Sequence, residues 1–176
     1  GHSMGGYVAF ELLGLCPEKL CSVMAINSTA EADNGQRKRN RNRTIALLQQ
    51  KPALYFKEFE QLLFSSLPMD TPPQVLEEFR SQWTSIAPGF LITVLTGLRD
   101  RPSYWEVLAN TKVPWCFFQG NQDPLIDMSV FNERMLPWPN RCLRFTGGHL
   151  LPLEMPQRLA EALLMQMRQV VRAAAR

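Results

Sequence analysis

The sequence predicts an α/β protein in which a parallel sheet carries helices on both faces and an inserted helical cap. Short apolar runs alternate with helical patterns along the chain, and this alternation is typical of a parallel sheet that is buried on both sides. Between the first two apolar runs lies a helical block of roughly 70 residues, which is too long for an ordinary crossover connection. We therefore interpret that block as a cap inserted into the sheet domain.

The core elements follow in order along the chain. The apolar runs predict buried strands at residues 20–26, 113–119 and 141–146. The helical patterns around them predict core helices at residues 4–15, 128–136 and 157–172. Pro17 ends the first helix, because proline cannot continue the hydrogen-bond ladder.

The cap pattern runs from Gln36 to about Leu98, where apolar residues recur at three- and four-residue spacing. Prolines at 52, at 68–73 and at 88 divide this stretch into several helices. The predicted division of the chain is a core segment at 1–30, a helical cap at 31–105 and a second core segment at 106–176.

The composition excludes several classes of protein. The chain has 176 residues, of which 45% are hydrophobic and 20% charged, as expected for a packed domain. Five of its basic residues fall within Gln36–Arg43, so the net charge of +3 reflects one local cluster. We expect that cluster to form the charged outer face of the first cap helix, and we expect no nucleic-acid partner. No stretch reaches the roughly 20 apolar residues of a membrane span, and no signal-peptide pattern opens the chain.

The four cysteines, at positions 16, 21, 116 and 142, lack C-x-x-C spacing, and the two histidines lie far from them in the sequence. This pattern predicts no metal site and favours buried free thiols in a reducing compartment, which indicates a cytoplasmic protein. No phosphate-binding glycine loop is present. We therefore expect no cofactor.

The first residues carry the pattern G-x-S-x-G, with Gly1, Ser3 and Gly5 in the required positions. In this motif a serine sits on a tight strand-to-helix turn that exposes its hydroxyl. Gly1 and Gly5 are expected to permit the close passage of strand and helix. Ser3 is thus the candidate nucleophile, and the amide of Met4, at the start of the following helix, is the candidate oxyanion donor.

A serine nucleophile requires a base, and the base requires an orienting carboxylate. His149 follows a predicted strand in a glycine loop, whereas the ring of His2 is expected to point away from the serine. Asp123 follows the strand at 113–119, and Asp127 is placed to cap the next helix. The triad Ser3, Asp123 and His149 then has every member at a strand end, where ligand sites of parallel sheets gather.

Several motifs together resemble the α/β-hydrolase superfamily, in particular its serine esterases with a helical cap. GHSMGG is similar to the nucleophile elbow, GNQDPLI to the acid loop, and GGHLLPLEMP to the histidine motif with its E-x-P step. INSTAEAD is similar to a segment of a bacterial subgroup described as hydrolases or esterases. The resemblance implies that the chain is the C-terminal part of such a protein, beginning at the elbow. The preceding strands and a second oxyanion donor would then lie upstream.

This resemblance implies hydrolysis of an ester or related acyl bond in a small-to-medium apolar substrate, without a cofactor. Lactonase, C–C hydrolase, lyase or perhydrolase chemistry on the same fold stays open, as does an inactive fragment or a module that acts by binding alone. The oligomeric state is not predicted. The candidate substrate contacts are His2, Phe90, Leu91, Tyr104, Leu125 and Leu150, with Trp83 as a further possible pocket residue.

Overall fold

The computed structural model describes residues 1–174, which divide into two compact units. Unit 1 comprises Gly1–Glu31 together with the chain from Ser103 onward, and unit 2 comprises Ala32–Pro102. The side chain of Trp83, a possible pocket residue, lies outside the described part.

Unit 1 contains a parallel sheet with the strand order β1-β2-β3. The strands are β1 Val23–Ile26, β2 Trp115–Gly120 and β3 Cys142–Phe145. Residues 1–3 lie along the outer edge of β1, where the Ile26 amide donates to the Gly1 carbonyl (2.9 Å) and the Ser3 amide donates to the Ile26 carbonyl (2.9 Å). The predicted strands are therefore confirmed, although the first and third are shorter than their apolar runs.

The helices are, in chain order, α1 Met4–Leu15, α2 Gly35–Gln50, α3 Pro52–Phe64, α4 Pro73–Thr84, α5 Pro88–Asp100, α6 Trp105–Asn110, α7 Met128–Met135, α8 Leu151–Glu154 and α9 Pro156–Ala174. Proline is the first residue of α3, α4, α5 and α9, a position where its missing amide hydrogen is not needed. The short helices α6 and α8 were not predicted, because one or two turns are too few to show a helical period.

The sheet is covered on both faces, which confirms the predicted α/β class. Strand β2 is buried along its whole length, and its side chains alternate between two apolar clusters. Phe117 packs in one cluster with Phe10 of α1 and Phe131 of α7. Phe118 packs in the other cluster with Leu151 of α8 and Leu159 of α9.

Unit 2 has an apolar core of its own, centred on Leu48, Tyr55 and Leu95 from three of its helices. The buried carboxylate of Asp33 accepts from Arg41 Nε (3.0 Å) and from Arg101 Nη1 (2.9 Å). These ion pairs join the beginning of the unit to its end. The basic cluster at Gln36–Arg43 lies on α2, where most of its residues are exposed, as predicted.

The cysteines are free, but they are not all buried as predicted. Cys116 is buried and Cys21 is exposed, because Cys21 lies in the loop before β1 rather than in the strand. Burial raises the pKa of the Cys116 thiol to about 12 and that of Cys142 to about 11. Across residues 1–174 no helix is long and apolar enough to cross a membrane. In the same residues no group of three or more His, Cys, Asp or Glu side chains is arranged to hold a metal ion.

Candidate active site

Ser3 occupies a sharp turn between the edge segment 1–3 and helix α1. Its backbone has φ 50° and ψ −116°, a region that non-glycine residues rarely adopt. The turn places Ser3 directly before the N-terminus of α1, where the helix dipole is positive. Met4 is the first residue of this helix, so its amide hydrogen has no acceptor within the helix. This amide is therefore available beside the serine.

The close packing that the elbow requires involves Gly1 and Gly6. A Cβ on Gly1 would lie 2.2 Å from the Gly5 carbonyl oxygen, and a Cβ on Gly6 would lie 2.4 Å from Ser28 Oγ. A Cβ on Gly5 would meet nothing within 4 Å in the described part of the chain. The prediction for Gly1 is confirmed and that for Gly5 is wrong, because α1 turns Gly6 rather than Gly5 toward the residues after β1.

Ser3, His149 and Asp123 form a continuous chain of hydrogen bonds. His149 Nε2 lies 2.9 Å from Ser3 Oγ, and His149 Nδ1 lies 2.8 Å from Asp123 Oδ2. The carboxylate is acceptor-only when ionised, so Nδ1 carries the hydrogen and Nε2 is left to accept from the serine hydroxyl. His149 and Asp123 are buried, whereas Ser3 is partly exposed. With the donors and acceptors in this order, His149 Nε2 can take the proton of the serine hydroxyl.

The Asp123 carboxylate is held by donors on both of its oxygens. Oδ1 accepts from the amides of Leu125 (2.8 Å) and Ile126 (3.3 Å), while Oδ2 accepts from His149 and from Asn27 Nδ2 (2.8 Å). Burial opposes ionisation of this group. The hydrogen bonds from His149, Asn27 and the Leu125 amide, together with the charge of His149, outweigh burial and hold the pKa of Asp123 below its ordinary value.

Glu154 supports the loop that carries His149. Its carboxylate accepts from the amide of Gly148 and, at 2.9 Å, from the amide of Leu150, the residues on either side of the histidine. A Cβ on Gly147 in the same loop would lie 2.7 Å from Glu154 Oε2, so a side chain there would displace this carboxylate. The E-x-P step noted in the sequence thus includes a residue that holds the histidine loop.

His2, a candidate substrate contact, lies beside His149. Its Nε2 lies 2.7 Å from the His149 carbonyl oxygen, and the two imidazole rings are 5.2 Å apart. Because a carbonyl can only accept, His2 Nε2 carries the hydrogen. Burial lowers the pKa of His2, although the bond to the His149 carbonyl opposes this effect. His2 therefore fixes the backbone of the histidine loop.

The other candidate substrate contacts are distributed between the two units. Leu125 is half-buried beside Asp123, and Leu150 is buried directly after His149. Tyr104 packs in the core of unit 1, where its hydroxyl donates to Glu11, so we assign it a packing role rather than a substrate contact. Phe90 is exposed on α5 of unit 2, and Leu91 packs against the apolar core of that unit.

Two polar side chains around Asp123 were missed in the sequence. Asn27 and Gln119 are both fully buried, and both amide groups approach Asp123 Oδ2, at 2.8 Å and 3.4 Å. Each lies at the carboxyl end of a strand, the same signal that led to Asp123 and His149. Asp127 caps α7 as predicted, accepting from the amides of Ser129 and Val130.

Comparison with known proteins identifies the fold through solved structures. A thermophilic esterase from Thermogutta terrifontis is 24% identical with a TM-score of 0.80, and the match covers 97% of this chain and 64% of that one. A hydrolase from Pseudomonas aeruginosa is 21% identical with a TM-score of 0.79, covering 94% of this chain and 62% of that one. An esterase from Exiguobacterium antarcticum is 17% identical with a TM-score of 0.78, and the match covers 96% of this chain and 65% of that one.

A scan against protein-family models and a search of curated proteins each returned no match. The chain spans slightly less than two thirds of the length of the solved esterases and hydrolases that it resembles. The parallel sheet covered on both faces, the serine elbow before α1 and these structural matches agree. The chain therefore has the fold of part of an α/β-hydrolase.

Proposed function

We propose that this chain carries the catalytic residues of a serine hydrolase that cleaves an ester or related acyl bond. The observation that supports the proposal is the hydrogen-bonded order Ser3–His149–Asp123 at a strained elbow, with distances of 2.9 Å and 2.8 Å. Each group meets the requirement of its role: a partly exposed hydroxyl, a base whose Nε2 can accept the hydroxyl proton, and a buried carboxylate. The esterases and hydrolases among the solved structures of this fold support the same reaction class.

In the proposed reaction Ser3 Oγ attacks the carbonyl carbon while His149 Nε2 takes the hydroxyl proton. Asp123 holds the imidazole in the correct tautomer and stabilises its positive charge. The Met4 amide donates to the oxyanion of the tetrahedral intermediate, aided by the dipole of α1. His149 then protonates the leaving alkoxide oxygen, which departs as the alcohol and leaves the acyl group on Ser3 Oγ. A water molecule that His149 deprotonates next attacks the acyl carbon, and His149 returns this proton to Ser3 Oγ as the acid departs.

The proposed substrate is an uncharged ester of small-to-medium size. Leu125 and Leu150, the apolar neighbours of Asp123 and His149, favour an apolar acyl or alcohol group. We propose that unit 2, residues 32–102, is the cap of the enzyme.

The proposal is tested with a fluorophosphonate probe and intact-mass analysis of the protein. Ser3 should displace fluoride from phosphorus and gain one adduct, because the probe reacts with an activated serine. Ser3→Ala should remove the adduct and lower kcat/KM on p-nitrophenyl esters by roughly 10⁴-fold or more. The matched control is Ser28→Ala, since Ser28 is a buried serine whose Oγ has no hydrogen-bond partner among the described residues.

The alternatives give different results in the same experiment. Esterase activity that persists in Ser3→Ala would refute the mechanism. A Ser3 adduct combined with turnover of lactones or β-diketones, and none of simple esters, would keep the nucleophile and change the substrate class. A wild-type protein without an adduct would support an inactive fragment or a module that acts by binding alone.

A further inference from the structure

We infer that Asn27 is a positioning residue for the proposed triad, because its amide joins the acid to the histidine loop. This inference rests on the proposed function, which assigns Asp123 and His149 their roles. Asn27 follows the last residue of β1, and its side chain is fully buried. Its side-chain hydrogen bonds in the described part of the chain go to Asp123 and Gly148 and not to Ser3, so its action would pass through the two residues it holds.

The amide nitrogen of Asn27 makes two hydrogen bonds of equal length. Nδ2 donates to Asp123 Oδ2 at 2.8 Å and to the carbonyl of Gly148 at 2.8 Å. Both partners can only accept, so the nitrogen rather than the oxygen of the amide must face them. One NH₂ group thus fixes the position of the carboxylate relative to the residue that precedes the histidine.

The backbone of Asn27 is adapted to this task. Its φ of 46° lies in the left-handed region, which asparagine tolerates better than most residues. Its own amide donates to the Phe118 carbonyl at 2.9 Å and so pairs the end of β1 with β2. The side chain is therefore directed into the site from a backbone position that is hydrogen-bonded to the neighbouring strand.

The position of the donor also matters electrostatically. Asp123 Oδ2 accepts from both Asn27 and His149, so the Asn27 bond stabilises the ionised carboxylate that orients the imidazole. Without this donor the carboxylate keeps the Oδ1 bonds from Leu125 and Ile126 but loses a donor on Oδ2, so the oxygen that bonds His149 Nδ1 is held less firmly. Displacement of a catalytic group by about 1 Å lowers a rate by about 10²-fold.

Two variants test this role without imposing backbone strain. Asn27→Gly accepts the left-handed φ and removes both donors, while Asn27→Asp keeps the shape and replaces the donors with a carboxylate facing Asp123. We expect kcat on p-nitrophenyl esters to fall by about 10²-fold in each, with KM unchanged, because Asn27 is buried away from substrate. Ser28→Ala is the matched control, since it removes a neighbouring buried side-chain group that bonds to nothing in the described residues.

A second measurement does not depend on turnover. The Nδ1 hydrogen of His149, shared with Asp123, should give a far-downfield proton resonance in the NMR spectrum of the wild type and of Ser28→Ala. We expect this resonance to broaden or disappear in Asn27→Gly, while thermal unfolding verifies that the variant is folded.

The two proposals fail in different ways. If the wild type shows activity that depends on Ser3 and Asn27→Gly retains the wild-type kcat and resonance, the positioning role is refuted and the proposed function stands. If the wild type lacks Ser3-dependent activity, the proposed function fails. In that case only one claim about Asn27 remains, namely that it fixes the hydrogen bond between Asp123 and His149. A resonance that is unchanged in Asn27→Gly refutes this claim as well.

Discussion

The substitution Gly6→Ala should destabilise the protein, because the elbow has no space for a methyl group at this position. A Cβ on Gly6 would lie 2.4 Å from Ser28 Oγ and 2.5 Å from Ser28 Cβ. Nonbonded carbon atoms normally stay about 3.5–4.0 Å apart, so the overlap is about 1 Å. Overpacking of a close-packed core costs about 1–3 kcal/mol of unfolding free energy. For a chain of this size, that cost lowers Tm by about 2–12 °C.

Gly5→Ala is the matched comparison, and its change in the free energy of unfolding should have the opposite sign to that of Gly6→Ala. Both glycines lie in the first turn of α1, but the Gly5 position faces open space among the described residues. Alanine is more favourable than glycine in a helix by about 0.5–1 kcal/mol. In urea and thermal unfolding, the stability of Gly5→Ala should therefore equal or exceed that of the wild type, and the stability of Gly6→Ala should be lower.

A double variant tests the physical cause. Ser28→Gly removes both atoms that the new methyl group would meet, and the next nearest atom, Ala25 Cβ, is at an acceptable 3.6 Å. Gly6→Ala combined with Ser28→Gly should therefore be more stable than the sum of the single effects predicts. Strict additivity, or a Gly6→Ala variant as stable as the wild type, would refute the packing argument.

Acid pH and thiol reactivity provide two further predictions. Burial lowers the pKa of His2, and hydrogen bonds outweigh burial to lower that of Asp123, so the unfolded chain binds more protons than the folded one. The free energy of unfolding should fall as pH drops below about 6.5 and again below about 4. A urea midpoint that is constant between about pH 7.5 and 3.5 would contradict this. Maleimide should modify the exposed Cys21 of the folded protein and spare the buried Cys116, whose thiol has a pKa of about 12; peptide mass mapping that finds equal modification would contradict the assignment.

The sheet and the candidate triad could be predicted because they depend on local patterns. Strand β2 is a continuous apolar run, and the prolines that begin several helices are visible in the sequence. The carboxyl ends of parallel strands meet at one edge of a sheet, so the sequence alone predicts that Asp123 and His149 lie close to Ser3. The short helices α6 and α8 lacked such a pattern.

The supporting residues could not be predicted, because their roles depend on contacts between distant parts of the chain. In the sequence Asn27 is only part of the INSTAEAD segment and no role is indicated for it, yet its partners Asp123 and Gly148 are 96 and 121 residues away. Gly5 fitted the motif, but the rotation of α1 about its axis decides that Gly6 needs the space. No local spacing contains that information.

The histidine loop shows why these distant contacts matter for the candidate site. Its three consecutive carbonyl groups are each held by a different segment: Gly147 by the Gln122 amide (2.9 Å), Gly148 by Asn27 and His149 by His2. Two glycines precede His149, so the loop would be costly to order without such bonds. The three donors come from the acid loop, from the end of β1 and from the elbow. The orientation of the His149 imidazole is therefore set by the same three segments that carry or adjoin the other groups of the proposed triad.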